Sequence, residues 1–170
     1  DAATAVGVPI LNNSWGGGPF SQALLDSINP YCASGGLFVA SAGNNARDTD
    51  LTPQYPADYD LDCIISVAAT DSLDALASFS NFGALSVDLG APGVSILSAL
   101  PYPYTCSGPT VVDYALLSGT SMAAPHVAGA AALIKSICPT CTGADIKNRI
   151  LATVDPIASL AGKSVTGGRL

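Results

Sequence analysis

Gly119-Thr120-Ser121-Met122-Ala123-Ala124-Pro125-His126-Val127-Ala128-Gly129 is the stretch whose reading decides the fold. It follows the short apolar run of residues 114–117 and opens a segment of small and apolar residues reaching Ser136, so it reads as a strand giving way to a helix. A serine at that junction presents its hydroxyl at a helix N-terminus, where unsatisfied N–H groups and the positive end of the dipole favour developing negative charge. Gly119 admits a second backbone at close range, and Pro125 is expected in the first turn, where a missing N–H does little harm. The small residues 128–132 let the helix lie close on a sheet and hold the serine rigidly. A serine in such a place is most often an ordinary N-cap. The neighbouring segments decide whether this one is more.

Working outward, apolar strands alternate with helices. Residues 8–15 (VPILNNSW) open apolar and turn polar, as a buried strand does on reaching a surface, and Gly16-Gly17-Gly18-Pro19 breaks them off. Ser21 caps a helix over residues 22–34, with Ala23, Leu24, Leu25 and Ile28 on one face and a kink expected at Pro30. Residues 37–42 (LFVASA) form a second strand, 46–61 an aperiodic loop, 63–70 (CIISVAAT) a third strand and 86–89 a fourth, stopped by Gly90-Ala91-Pro92-Gly93. Residues 96–100 and 114–117 read as a strand pair. Thr142, with Asp145 three residues on, opens a last helix over residues 143–152 by a variant of the capping box. Strands without clean alternation, linked by helices, predict an α/β fold: a parallel central sheet with helices on both faces.

Composition narrows the function. The chain has 170 residues, a single-domain length, and is 49% hydrophobic, enough to bury a core. Six basic against thirteen acidic residues give a net charge of −7. Such a surface repels phosphate, so neither nucleic acid nor an acidic membrane is an expected partner. Seventeen glycines and twelve prolines exclude a helical bundle. No apolar run approaches the roughly 18 residues of a membrane span.

Five cysteines (Cys32, Cys63, Cys106, Cys138, Cys141) suit a secreted protein with one or two disulfides, and the odd count leaves at least one thiol over. Cys138 and Cys141 have CxxC spacing, but no thioredoxin-like context precedes them. A zinc set of Cys63, Cys106, Cys138 and Cys141 lacks the second close pair such sites use. A structural role is the expectation for all five.

The quoted stretch resembles the nucleophile motif of the subtilisin-like serine proteases, the subtilases. Ser41-Ala42-Gly43-Asn44 resembles the family's AGN segment, and Asn13-Ser14-Trp15-Gly16-Gly17 its substrate-binding strand. Residues 77–83 (ASFSNFG) and 90–94 (GAPGV) resemble two further signature stretches. The resemblance runs from about residue 8 to residue 152. It implies that Ser121 is the nucleophile and that the Asn44 side chain donates to the oxyanion beside the Ser121 N–H. It implies that Ser14, Trp15 and Gly16 pair with an extended polypeptide substrate, and that Ser41, Ala42 and Gly43 wall the pocket for the residue before the cut. Those small side chains suggest an open, apolar pocket.

The same resemblance exposes a gap. The family order is Asp, then His, then Ser, and neither the Asp nor the HGT segment occurs here. The single histidine, His126, lies five helical residues from Ser121, about 140° around the axis, and is expected to be packed and hydrogen-bonded. Residues 1–170 therefore read as the C-terminal portion of one catalytic domain. Its sheet is incomplete for want of the first strands, and its partner is an N-terminal segment carrying Asp and His. Alone the chain is expected to be inactive. The alternative is a non-catalytic subtilase-like binding or scaffold protein. No cofactor is required and no metal ligand is assigned. Structural calcium at Asp48, Asp50, Asp58, Asp60 or Asp62 is admitted, but their spacing lacks a glycine-turned loop and favours a solvated acidic surface.

Overall fold

Residues that are apolar at every position can be accommodated only in a sheet covered on both sides. Leu37–Ser41 (β2) and Ile64–Thr70 (β3) are such strands, buried at every residue. A computed structural model describes residues 2–100 and 114–170 and sets these two strands at the centre of a mainly parallel sheet. Ile10–Asn13 (β1) pairs with β2, and Leu89–Pro92 (β4) with β3, all parallel. Beyond β4 the sheet is finished by Gly168–Arg169 (β8), and Asp155–Pro156 (β7) pairs antiparallel with β8. Ile96–Ala99 (β5) and Tyr114–Leu117 (β6) form a separate antiparallel pair.

The pleat sends alternate residues to opposite faces. Leu37, Val39, Ile65, Val67 and Leu89 meet Ala123, Ala124, Val127 and Ala131 of the helix Thr120–Ile137 (α3) and Ile146 and Ile150 of Gly143–Leu151 (α4). Phe38, Ala40 and Ile64 turn the other way, onto Ile28 and Tyr31 of the helix Gln22–Ala33 (α2). A short helix, Ala2–Val6 (α1), precedes β1. The expected α/β architecture, helices on both faces of a parallel sheet, is the one found.

Local signals act as read. The Ser21 hydroxyl accepts from Leu24 N at 3.3 Å, and α2 continues through Pro30 to Ala33. Thr142 Oγ1 accepts from Asp145 N while Asp145 Oδ2 accepts from Thr142 N, closing the capping box of α4. Two disulfides form, Cys32–Cys63 between the end of α2 and the start of β3, and Cys138–Cys141 between α3 and α4. That pairing dissolves the zinc set, and Cys106 lies outside the described residues.

Three boundaries differ from expectation. β1 stops at Asn13 rather than continuing to Trp15, because the glycines that follow leave the sheet for residue 55, Gly17 N donating to Tyr55 O at 3.1 Å. β4 begins where the fourth strand was expected to end. Residue 86 is held by Asp50, its N–H and hydroxyl both donating to that carboxylate, whereas Gly90 continues the ladder under the Leu160 side chain, which leaves no room for a β-carbon. The glycine-rich end at residues 166–170, to which no element was assigned from sequence, supplies β8.

One charge pair ties the layers together. Lys147 of α4 donates to the Ile64 carbonyl and stands 3.1 Å from Asp88 Oδ1. Burial pushes the Asp88 carboxyl up, and the lysine opposes that shift. Lys147→Met would leave a buried carboxylate unpaired and should lower the unfolding free energy by about 3 kcal/mol. Denaturant titration checks this, and adding Asp88→Asn to the variant should restore part of the loss.

Candidate active site

In open parallel sheets, ligand sites gather beyond the carboxyl ends of the strands. Here β1 and β2 deliver Ser14, Trp15 and Gly16 and Ser41, Gly43 and Asn44 to one cleft of about 350 Å³, and α3 brings Ser121 to its edge. Of the residues singled out from sequence, Ala42 alone is absent from that lining. It is fully buried against Ala68 and Val87, and its carbonyl accepts from Asn81 Nδ2.

Ser121 does not cap its helix. Gly119 holds the cap position and makes no side-chain bond, so Ser121 is the second helical residue. Among the described residues its hydroxyl donates to the Ser14 carbonyl alone, at 3.3 Å. The N-terminus of α3 is secured from outside instead. Asn44 Oδ1 accepts from Thr120 N at 2.9 Å and from Thr120 Oγ1 at 3.0 Å, and Thr120 Oγ1 accepts from Gly43 N at 3.1 Å. With its oxygen committed twice, the Asn44 carboxamide, which lines the cleft, has its N–H groups left to offer.

Pro125 lies later than expected, in the second turn of α3. Its missing N–H would have bonded the Ser121 carbonyl, which is therefore open to another donor. The Ser14 hydroxyl takes that place, donating to Ser121 O at 2.7 Å. The segment that follows β1 is thus fastened to the turn bearing Ser121.

His126 departs from expectation in one respect. It is hydrogen-bonded, Nδ1 to the Met122 carbonyl at 2.9 Å, but it is exposed rather than packed. It borders a second recess of about 310 Å³ with Ile96, Leu97, Met122 and Pro125, on the other side of Ser121. The ring is held by its own helix, and no described contact joins it to the Ser121 hydroxyl.

The acidic loop is only partly a solvated surface. Asp60 and Asp62 are exposed, but Asp50 accepts from Leu85 N, Ser86 N and Ser86 Oγ, and Asp58 Oδ2 accepts from Gln54 N at 2.6 Å. Among the described residues, no three His, Cys, Asp or Glu side chains stand close enough to hold a metal ion. The loop also carries what sequence reading missed. Gln54, without periodicity or motif to mark it, reaches into the cleft.

Two measurements follow from this geometry. If Ser14 replaces the N–H that Pro125 lacks, Pro125→Ala makes it redundant. A double-mutant cycle should then give a coupling of about 0.5–1.5 kcal/mol between Ser14→Ala and Pro125→Ala, read by denaturation. Asp58 is the second subject. Burial raises its carboxyl to about 6, opposed by the Gln54 N–H, and its Oδ1 is buried without a partner. The folded state therefore holds this proton more tightly than the unfolded chain. The resulting stabilisation is present below the ordinary carboxylate pKa and is lost as pH rises through about 6. Wild type should lose on the order of 1 kcal/mol more than Asp58→Asn between pH 4 and pH 7 in paired thermal melts.

The family model described as the subtilase family matches residues 1–167. Subtilisin DY of Bacillus licheniformis is 43% identical over 152 residues, covering 89% of this chain and 51% of that relative. An extracellular protease of Xanthomonas campestris pv. campestris is 43% identical over 141 residues, covering 81% of this chain and 23% of that protein. A solved structure described as proteases from Pseudoalteromonas arctica PAMC 21717 superposes with a TM-score of 0.81 at 30% identity, over 92% of this chain and 47% of that one. The chain spans about half the length of subtilisin DY. By the match across nearly its whole length, it belongs to the subtilase family.

Proposed function

We propose that residues 1–170 are the C-terminal part of a serine endopeptidase catalytic domain, with Ser121 as nucleophile. The observation that carries this reading is the orientation of Asn44. Its oxygen is occupied by Thr120, which leaves its N–H groups as what the amide can offer in a cleft that it lines with Ser121, a serine at a helix N-terminus. That is a preorganised donor for an oxyanion, joined by the Ser121 N–H, and neither must reorganise as charge develops. In the reaction, Ser121 Oγ adds to the scissile carbonyl while its proton passes to a base. Collapse of the tetrahedral intermediate expels the amine, which takes up that proton, and leaves an acyl-serine for water to hydrolyse. Ser14, Trp15 and Gly16 offer backbone groups to an extended polypeptide, and Ser41 to Gly43 form the wall beside the residue preceding the cut.

Among the described residues none that lines the cleft is ionisable, and His126 is engaged elsewhere. The base and its orienting carboxylate therefore belong to an N-terminal segment of the same domain, which is the required partner. By itself the 170-residue chain should not turn over peptides, retaining only what binding and the oxyanion donors supply. The disulfides and the extracellular name of a relative support a secreted or extracytoplasmic setting.

The test is fluorophosphonate labelling of the complete protein. Covalent modification at Ser121, abolished in Ser121→Ala, is expected. A folded complete protein that takes up no label would favour the scaffold reading instead. Asn44→Leu should lower kcat roughly 10²–10³-fold with a smaller change in KM, a magnitude known from subtilisin itself.

A further inference from the structure

The floor of the cleft has a defined chemistry. Asn81 is fully buried, and its Oδ1 accepts from Asn45 N at 3.0 Å and Arg47 N at 3.1 Å. Its nitrogen must then be the donor, and Nδ2 reaches Ala42 O and Gln54 Oε1, both at 2.8 Å. This fixes the next carboxamide in turn. With Oε1 held by Asn81, Gln54 turns its Nε2 the other way, against Gly17 and Gly43 in the cleft. Residue 43 has φ 106° and any β-carbon there would collide with Nε2, so the glycine makes room for the amide. The loop bearing Gln54 is fastened by Asp58, which accepts from Gln54 N, and by Tyr55, whose carbonyl accepts from Gly17 N. Among the described residues nothing accepts from Nε2. The expectation of an apolar pocket, drawn from the small side chains of residues 41–43, thus gives way to a cleft that holds the neutral amide donor of Gln54.

We propose that Gln54 determines specificity, its Nε2 donating to the side chain of the residue preceding the cleaved bond and selecting a neutral carboxamide, glutamine or asparagine. This rests on the peptidase reading. An aliphatic side chain seated there would cover the amide donor without offering it an acceptor. A lysine or arginine would set donors against donors. A carboxylate could accept, but it would be desolvated with no cation in the cleft, in a chain of net charge −7. A carboxamide accepts through its oxygen, and the Ser41 hydroxyl in the same cleft can take one of its N–H groups.

The experiment uses the complete protein and peptides matched except at that residue, which is glutamine, asparagine, leucine, methionine, glutamate or lysine. With glutamine or asparagine, kcat/KM should exceed that with leucine or methionine about five- to tenfold. In Gln54→Leu the ratio should fall to about one. In Gln54→Glu, which keeps an acceptor for Asn81 and turns an acceptor to the cleft, preference should pass to lysine. Labelling of Ser121 by a small fluorophosphonate reports folding of each variant. Should Gln54→Leu fail to label, Gln54→Glu decides, and an unchanged preference there overturns the proposal. Cleavage by the wild type without carboxamide preference overturns this inference alone. A folded protein that neither cleaves nor labels overturns the peptidase reading and this inference with it.

Discussion

The double acceptance by Asn44 Oδ1, from the N–H and the hydroxyl of Thr120, is the contact on which the site depends. The first turn of α3 has orphan N–H groups and a glycine at its cap, so it lacks the means to secure itself. The turn after β2 supplies the missing acceptor, and Thr120 returns a bond by accepting from Gly43. Strand end and helix start are laced by an exchange resembling a capping box, but made between segments 76 residues apart. Because the oxygen is committed to the scaffold, the nitrogen of the same amide has one direction left. Stability and donor orientation come from a single side chain.

The same logic recurs across the cleft. Pro125 withholds an N–H from the Ser121 carbonyl, and Ser14 fills the vacancy from another strand. Asn81 receives two backbone N–H groups and so must donate onward, which orients Gln54. Each polar group is aimed by what its other end is already doing. A cleft built this way reorganises little when a ligand arrives, and that is the condition under which fixed dipoles are most effective.

The pattern of legibility has a physical basis. β2, β3, α2 and α4 were readable because burial on both faces and capping chemistry act within a few residues of sequence. Ser121 and Asn44 were readable through a motif. Gln54 was not: its orientation depends on Asn81, 27 residues away, and on a glycine in the turn after β2, and its own segment has no period. β4 was displaced because the usual breakers, Gly90 and Pro92, are tolerated where Leu160 covers one and the strand ends at the other. The exposure of His126 was hidden for a related reason. Helical angles set its direction relative to Ser121, but not what stands opposite.

The two flanks of the sheet are unlike. Past β4 the chain folds back on itself, and β8 and β7, two residues each with Pro156 in the outermost, leave almost no backbone free for pairing. At β1 the N–H and C=O groups directed away from β2 have no strand beside them among the described residues. Enlargement of this sheet is thus unidirectional. A polypeptide joining it in register must lie along Ile10–Asn13, whose continuation is Ser14 and whose fastening is to Ser121, so the act of completing the architecture brings the newcomer alongside the segment tied to Ser121.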